Sequence, residues 1–177
     1  MKLYLYTFAL VLSTIACTNK QSFVIEQGSP ATIVLSPNEG QVVHTAIDLV
    51  KRDYLAVFGD SLSLSPTLNE SNSTPQILVA TYGTKDCEPL LQKLGIKSDI
   101  LATHPESYHM GVQIVDEKPI LYIIGGDDRG TAYGLMAMSE LMGVSPWEWW
   151  ADSPIKPRKR WIVDSFSTIE YPKVRYR

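Results

Sequence analysis

Basic residues are scarce in this chain. Its 16 Lys and Arg stand against 19 Asp and Glu, a formal net charge of −3 over 177 residues. A phosphate-binding chain carries the opposite balance, so nucleic acid is excluded as a partner. Cysteine is scarcer still, with only Cys17 and Cys87, and the three histidines His44, His104 and His109 lack metal-ligand spacing. There is no G-x-S-x-G elbow, no Lys-Ser or Lys-Thr pair after a glycine loop, and no carboxylate pair marked out for acid–base work. No catalytic residue, metal site or cofactor is therefore assigned. Internal repeats and low-complexity stretches are absent too. What remains is a chain 45% hydrophobic and 20% charged, enough apolar material for one sizeable core.

The most apolar run, residues 3–12, is too short to span a bilayer as a stable helix. Behind Lys2 and ahead of small residues it reads as a signal peptide over residues 1–16. Thr14 and Ala16 suit ordinary signal-peptidase cleavage. Cys17 directly after them also matches a lipoprotein box, in which its thiol is acylated, although Thr14 stands where a leucine-like residue is usual. Both forms are exported: a soluble periplasmic one, or one anchored to the outer membrane only through the lipid on Cys17. An acylated Cys17 leaves Cys87 without a disulfide partner. Cys87 is then expected as a small hydrophobe in the first turn of a short helix.

Short β-branched or aromatic runs at 23–26 and 32–35 flank the Gly28-Ser29-Pro30 turn signal. Ser36, Pro37 and Glu39 predict a capped helix start, with Val42, Ala46, Leu49, Val50 and Tyr54 on its buried face. His44 lies off that stripe. Residues 76–80 predict the next strand of a β-α-β unit, and 69–74 a polar loop. A short helix over 87–94 stops at Gly95. Alternation of Tyr108, Met110, Val112 and Ile114 predicts a strand over 108–115, hairpinned through 116–118 to an apolar central strand at 120–124. Residues 128–142 predict a further helix. Gly130, Gly134 and Ala137 form a stripe that brings it close to the sheet, and Leu135, Met138, Leu141 and Met142 fill the space beside it. The fold class is α/β (α+β): a small mixed β-sheet flanked by helices over residues 22–152. Four prolines then punctuate residues 146–172, and 153–177 reads as an extended linker.

The glycines of Gly125-Gly126-Asp127-Asp128-Arg129-Gly130 lack nucleotide-loop spacing, and two aspartates would repel a phosphate. Those aspartates suit a helix N-terminus, where one of them can cap. Arg129 sits where loops at strand ends meet ligands or partners, and a guanidinium there can grip a carboxylate; the simpler reading is a salt bridge to Asp127 or Asp128. The basic residues of 156–160, with Lys173, Arg175 and Arg177, read as a solvated run. All four tryptophans crowd into 147–161. Trp147, Trp149 and Trp150 suit burial against a neighbouring module, with sugar stacking as the alternative.

Several of these segments resemble glycoside hydrolase family 115, the xylan α-glucuronidases. They are Ile123-Ile124-Gly125-Gly126-Asp127-Asp128-Arg129-Gly130-Thr131-Ala132-Tyr133-Gly134, Ser139-Glu140, and Gly143-Val144-Ser145-Pro146-Trp147-Glu148-Trp149-Trp150-Ala151-Asp152. Glu106-Ser107-Tyr108 and Tyr171-Pro172-Lys173-Val174-Arg175-Tyr176-Arg177 are similar as well. Glu148 stands where the family carries an aromatic, and Gly126 where it carries a serine-like residue. The resemblance implies the N-terminal domain, with the domain 2-like fold of β-hexosaminidases and α-glucuronidases, ahead of a catalytic (β/α)8 barrel. It implies inverting removal of (4-O-methyl)glucuronic acid by the whole enzyme, through two barrel carboxylates roughly 6.5–9.5 Å apart. This chain is then a non-catalytic part that meets polysaccharide through the parent enzyme, with the barrel as its partner. The alternative is a free-standing carbohydrate-binding or adaptor module using the tryptophans.

Overall fold

The computed structural model describes residues 22–69, 74–97, 99–148, 150–151 and 153–173. The leader with Cys17, and Trp149, Arg175 and Arg177, lie outside the described residues. In chain order the elements are β1 (Phe23–Glu26), β2 (Thr32–Leu35), α1 (Gln41–Phe58), β3 (Ser63–Ser65), β4 (Gln76–Thr81), α2 (Cys87–Leu94), α3 (Asp99–Thr103), β5 (Tyr108–Val115), β6 (Lys118–Gly125), α4 (Asp128–Met142), β7 (Arg160–Val163) and β8 (Ser167–Glu170).

Six strands form one mixed sheet in the order β3-β2-β4-β6-β5-β8. β3, β2, β4 and β6 run parallel, and β5 is antiparallel to both its neighbours. Alternation sends Ile33, Ile77, Val79, Leu121 and Ile123 to the face covered by α1 and α4. Val34, Leu78, Ala80, Tyr122 and Ile124 go to the opposite face, under α2 and α3. Strands buried on both faces read as unbroken apolar runs, which is why the β6 sequence pointed to the sheet centre. A separate two-stranded ribbon, β1 against β7, packs into the α1 side of the core.

The hairpin register, Val115 opposite Lys118, leaves a two-residue turn in which Asp116 and Glu117 have φ of 48° and 64°. Both are in the left-handed region that this tight turn requires. At α4, a Cβ on Gly130 would collide with the Ser107 carbonyl, and one on Gly134 would lie 2.5 Å from Ile123 Cγ2. The glycine stripe therefore does set helix and sheet at close range.

Several expectations are corrected. α1 begins at Gln41 behind Gly40, and no side chain caps it. Ser36 instead accepts from the Asn38 amide and donates to Asp86, while Glu39 is buried and accepts the Thr81 amide at 3.1 Å. The carboxylate satisfies a strand end, so residues 36–39 form a turn rather than a capping box. The buried face of α1 is Val43, Ala46, Ile47, Val50, Tyr54, Val57 and Phe58, leaving Val42 and Leu49 exposed. Two apolar stripes compete on this helix, and contact with α4 selects the one containing Val43 and Ile47. Ile114 and Leu141 also face outward. Most consequentially, the segment read as linker holds two strands: β7 pairs with β1, and β8 extends the main sheet. Trp161, on β7, is buried with ring centroids 6.1 Å from Phe23 and 6.4 Å from Phe58, so it belongs to the core and not to the tryptophan cluster.

Candidate functional site

At the carboxyl end of β6 the chain turns into α4, and Asp127 organises the turn. Its Oδ1 accepts the Gly130 amide at 2.7 Å, and its Oδ2 accepts the Glu106 amide at 3.0 Å. With both Asp127 oxygens engaged, Arg129 does not form the expected bridge to Asp127 or Asp128. It pairs with Glu106 at 2.9 Å and donates to Tyr133 Oη at 3.2 Å. The tyrosine hydrogen bond and the nearby carboxylate push the guanidinium further above its ordinary pKa range.

Beside this pair lies a cleft of about 690 Å³. α4 contributes Tyr133, Met136, Ala137 and Glu140, three or four residues apart and so on one helical face. α1 adds Leu49, Arg52 and Asp53, β8 adds Thr168 and Glu170, and the turn after α4 adds Val144, Pro146 and Glu148. Among the described residues, five carboxylates line the cleft, on Asp53, Glu106, Glu140, Glu148 and Glu170, against the single guanidinium of Arg52. Arg52 sits 2.6 Å from Asp53 and 3.8 Å from Glu148. A site of this charge repels a uronate.

After α4 the Trp150 and Ala151 amides both donate to the Trp147 carbonyl, at 3.1 and 2.8 Å. Trp147 is 63% exposed and Trp150 is 85% exposed, the two most open large hydrophobics of the described residues. The sequence reading for both was burial against a neighbouring module, with sugar stacking as the alternative. It did not reveal the acidic cleft, whose carboxylates come from segments far apart in the chain.

A second polar constellation lies under β8. His109 Nε2 is 2.7 Å from Ser167 Oγ and 3.0 Å from Tyr122 Oη. Burial lowers the His109 pKa and raises that of Tyr122. An imidazole beside a serine suggests a base and its nucleophile, but His109 Nδ1 is buried with no partner to orient the ring. The cluster ties β8 to β5 and β6. Among the described residues, no three His, Cys, Asp or Glu side chains gather as a metal site, and no helix is long and apolar enough to cross a membrane.

No protein-family model matches the chain, and no curated protein does. Among solved structures, it superposes on BtGH115A, a family 115 4-O-methyl-α-glucuronidase with specificity for decorated arabinogalactans, with a TM-score of 0.72 and 33% identity. The match covers 87% of this chain and 19% of that one. This is a family 115-like domain. CpGH84D matches with a TM-score of 0.59 at 9% identity, over 84% of this chain and 21% of that one, a likeness of fold alone. The chain thus spans about a fifth of the family 115 enzyme it matches, and what it shares with that enzyme is a mixed sheet between helices.

Proposed function

We propose that this is the non-catalytic N-terminal domain of an exported glycoside hydrolase that removes (4-O-methyl)glucuronic acid side chains from xylan-type polysaccharide by inverting hydrolysis. The observation that carries this reading is 33% identity over 87% of the chain to one domain-sized part of a family 115 glucuronidase. The acidic cleft supports a role other than holding the uronate. The partner is a catalytic (β/α)8 barrel, met in part through Trp147, Trp149 and Trp150; Trp147 and Trp150 are exposed, and large exposed aromatics anchor interfaces. Export follows from the leader. Acylation of Cys17 is checked by palmitate labelling that Cys17→Ala abolishes; equal labelling of both chains sinks it.

A protein joining this domain to a family 115 barrel is expected to release uronic acid from glucuronoxylan. Release from decorated arabinogalactan alone would keep the enzyme class and replace the glycan. The exposure of Trp147 and Trp150 also fits the competing reading, a free-standing carbohydrate-binding or adaptor module. Xylan-dependent quenching of tryptophan emission in the isolated chain would favour that reading.

A further inference from the structure

The cleft along α4 is built to receive positive charge. Arg52 is engaged by Asp53 and Glu148, and Arg129 by Glu106, but Glu140 and Glu170 face the cleft with no cation within 4.0 Å among the described residues. Two further groups await a donor or acceptor. Ser139 is only 4% exposed and lines the cleft, yet its Oγ has no hydrogen-bond partner; Glu148 Oε2 is buried and has no hydrogen bond, its contact with Arg52 being an ion pair at 3.8 Å. Buried polar atoms are rarely left so in a finished assembly. Met136, Ala137, Val144 and Pro146 add apolar lining among these groups. That combination suits a long side chain with an apolar stem and a cationic head better than a hydrated ion.

The neighbouring strand bears on what carries the cation. Among the described residues, β8 is the last strand of the sheet and pairs only with β5, so its outer edge carries backbone groups outside the ladder. Thr168 and Glu170, two residues apart and so on one face, line the cleft beside that edge. An open strand edge offers hydrogen bonds that a polypeptide satisfies by running alongside, which a polysaccharide does not.

We propose that the cleft binds a polypeptide segment bearing arginine or lysine between apolar residues, its cationic heads on Glu140 and Glu170 and its apolar side chains against Met136 and Val144. The assignment of that segment to the catalytic module rests on the accessory-domain reading; the chemistry of the cleft does not.

Calorimetric titration of the purified chain with acetyl-Leu-Arg-Leu-Arg-Leu-amide tests the proposal. The control is the same peptide with citrulline for arginine, which keeps the shape and removes the charge. Saturable binding is expected, weakened roughly tenfold or more by citrulline and by the double substitution Glu140→Gln, Glu170→Gln. Both glutamates are exposed, so an unchanged denaturation midpoint serves as the folding control. Equal affinity for the two peptides, insensitivity to the double substitution, or no binding at millimolar peptide would overturn the proposal. Glucuronoxylan oligosaccharide binding lost with the same double substitution would also overturn it, by assigning the cleft to sugar. A failed titration beside intact uronic acid release by the two-domain protein would leave the accessory-domain reading standing.

Discussion

One carboxylate holds the entry to α4: Asp127 accepts from Gly130 within the helix and from Glu106 across the loop. Asp127→Ala removes a cap and a tertiary hydrogen bond together. It is expected to cost about 2–3 kcal/mol, read as a lower urea midpoint at unchanged slope. Three buried groups set the pH limits of the fold. Burial pushes the Cys87 thiol and the Tyr54 phenol up to about 12. Above pH 9 an unfolded chain releases the thiol proton that the folded chain keeps, so stability falls from pH 9 towards 12, by up to roughly 1.4 kcal/mol per unit from Cys87 alone. At the other end, burial holds His109 neutral, so the unfolded chain binds a proton first and stability falls as pH drops below about 6.5. Urea midpoints between pH 5 and 10 are expected to trace both declines. Cys87→Ala should flatten only the alkaline limb and His109→Gln only the acid one. Loss of Cys87 that leaves the alkaline limb unchanged contradicts the assignment.

Among elements, the two tryptophans that bracket the stretch from α4 to β7 separate core from surface. Trp161 is wedged among Phe23 and Phe58, so Trp161→Ala is expected to cost about 3–5 kcal/mol. Trp150 is almost fully open, and Trp150→Ala should change the stability of the chain by less than about 0.5 kcal/mol. Denaturation of the two variants side by side checks the contrast; equal losses would place Trp150 in a private core. The long elements were legible because their signals are repeated. Alternation marks β5, the two acidic turn residues mark the hairpin, and glycine spacing with an aspartate cap marks α4. β3, β7 and β8 were missed because each has only three or four residues and little of it is buried on its own pattern. Their strand state comes from partners: β7 exists because β1 pairs with it, and β8 because β5 has an edge to fill. The candidate site was legible only in part. Arg129 could be placed at a strand end, but its partner, Glu106, arrives through a turn with φ of 59° that no local pattern marks.

At the scale of the molecule, layers of helices cover both faces of the sheet, and the open features gather at one side. The acidic cleft, the edge of β8 and the outward tryptophans all adjoin the turn after α4 or the last sheet strand. The chain spans about a fifth of the family 115 enzyme it matches, and the proposed docking role rests on finding its acidic cleft and outward tryptophans together. The most direct test is uronic acid release from glucuronoxylan by the purified 177-residue chain, measured over hours beside a two-domain protein containing a family 115 barrel. No release by the chain alone, with steady release by the longer protein, is the expected result. Turnover by the chain alone, abolished by a single substitution within it, would contradict the account.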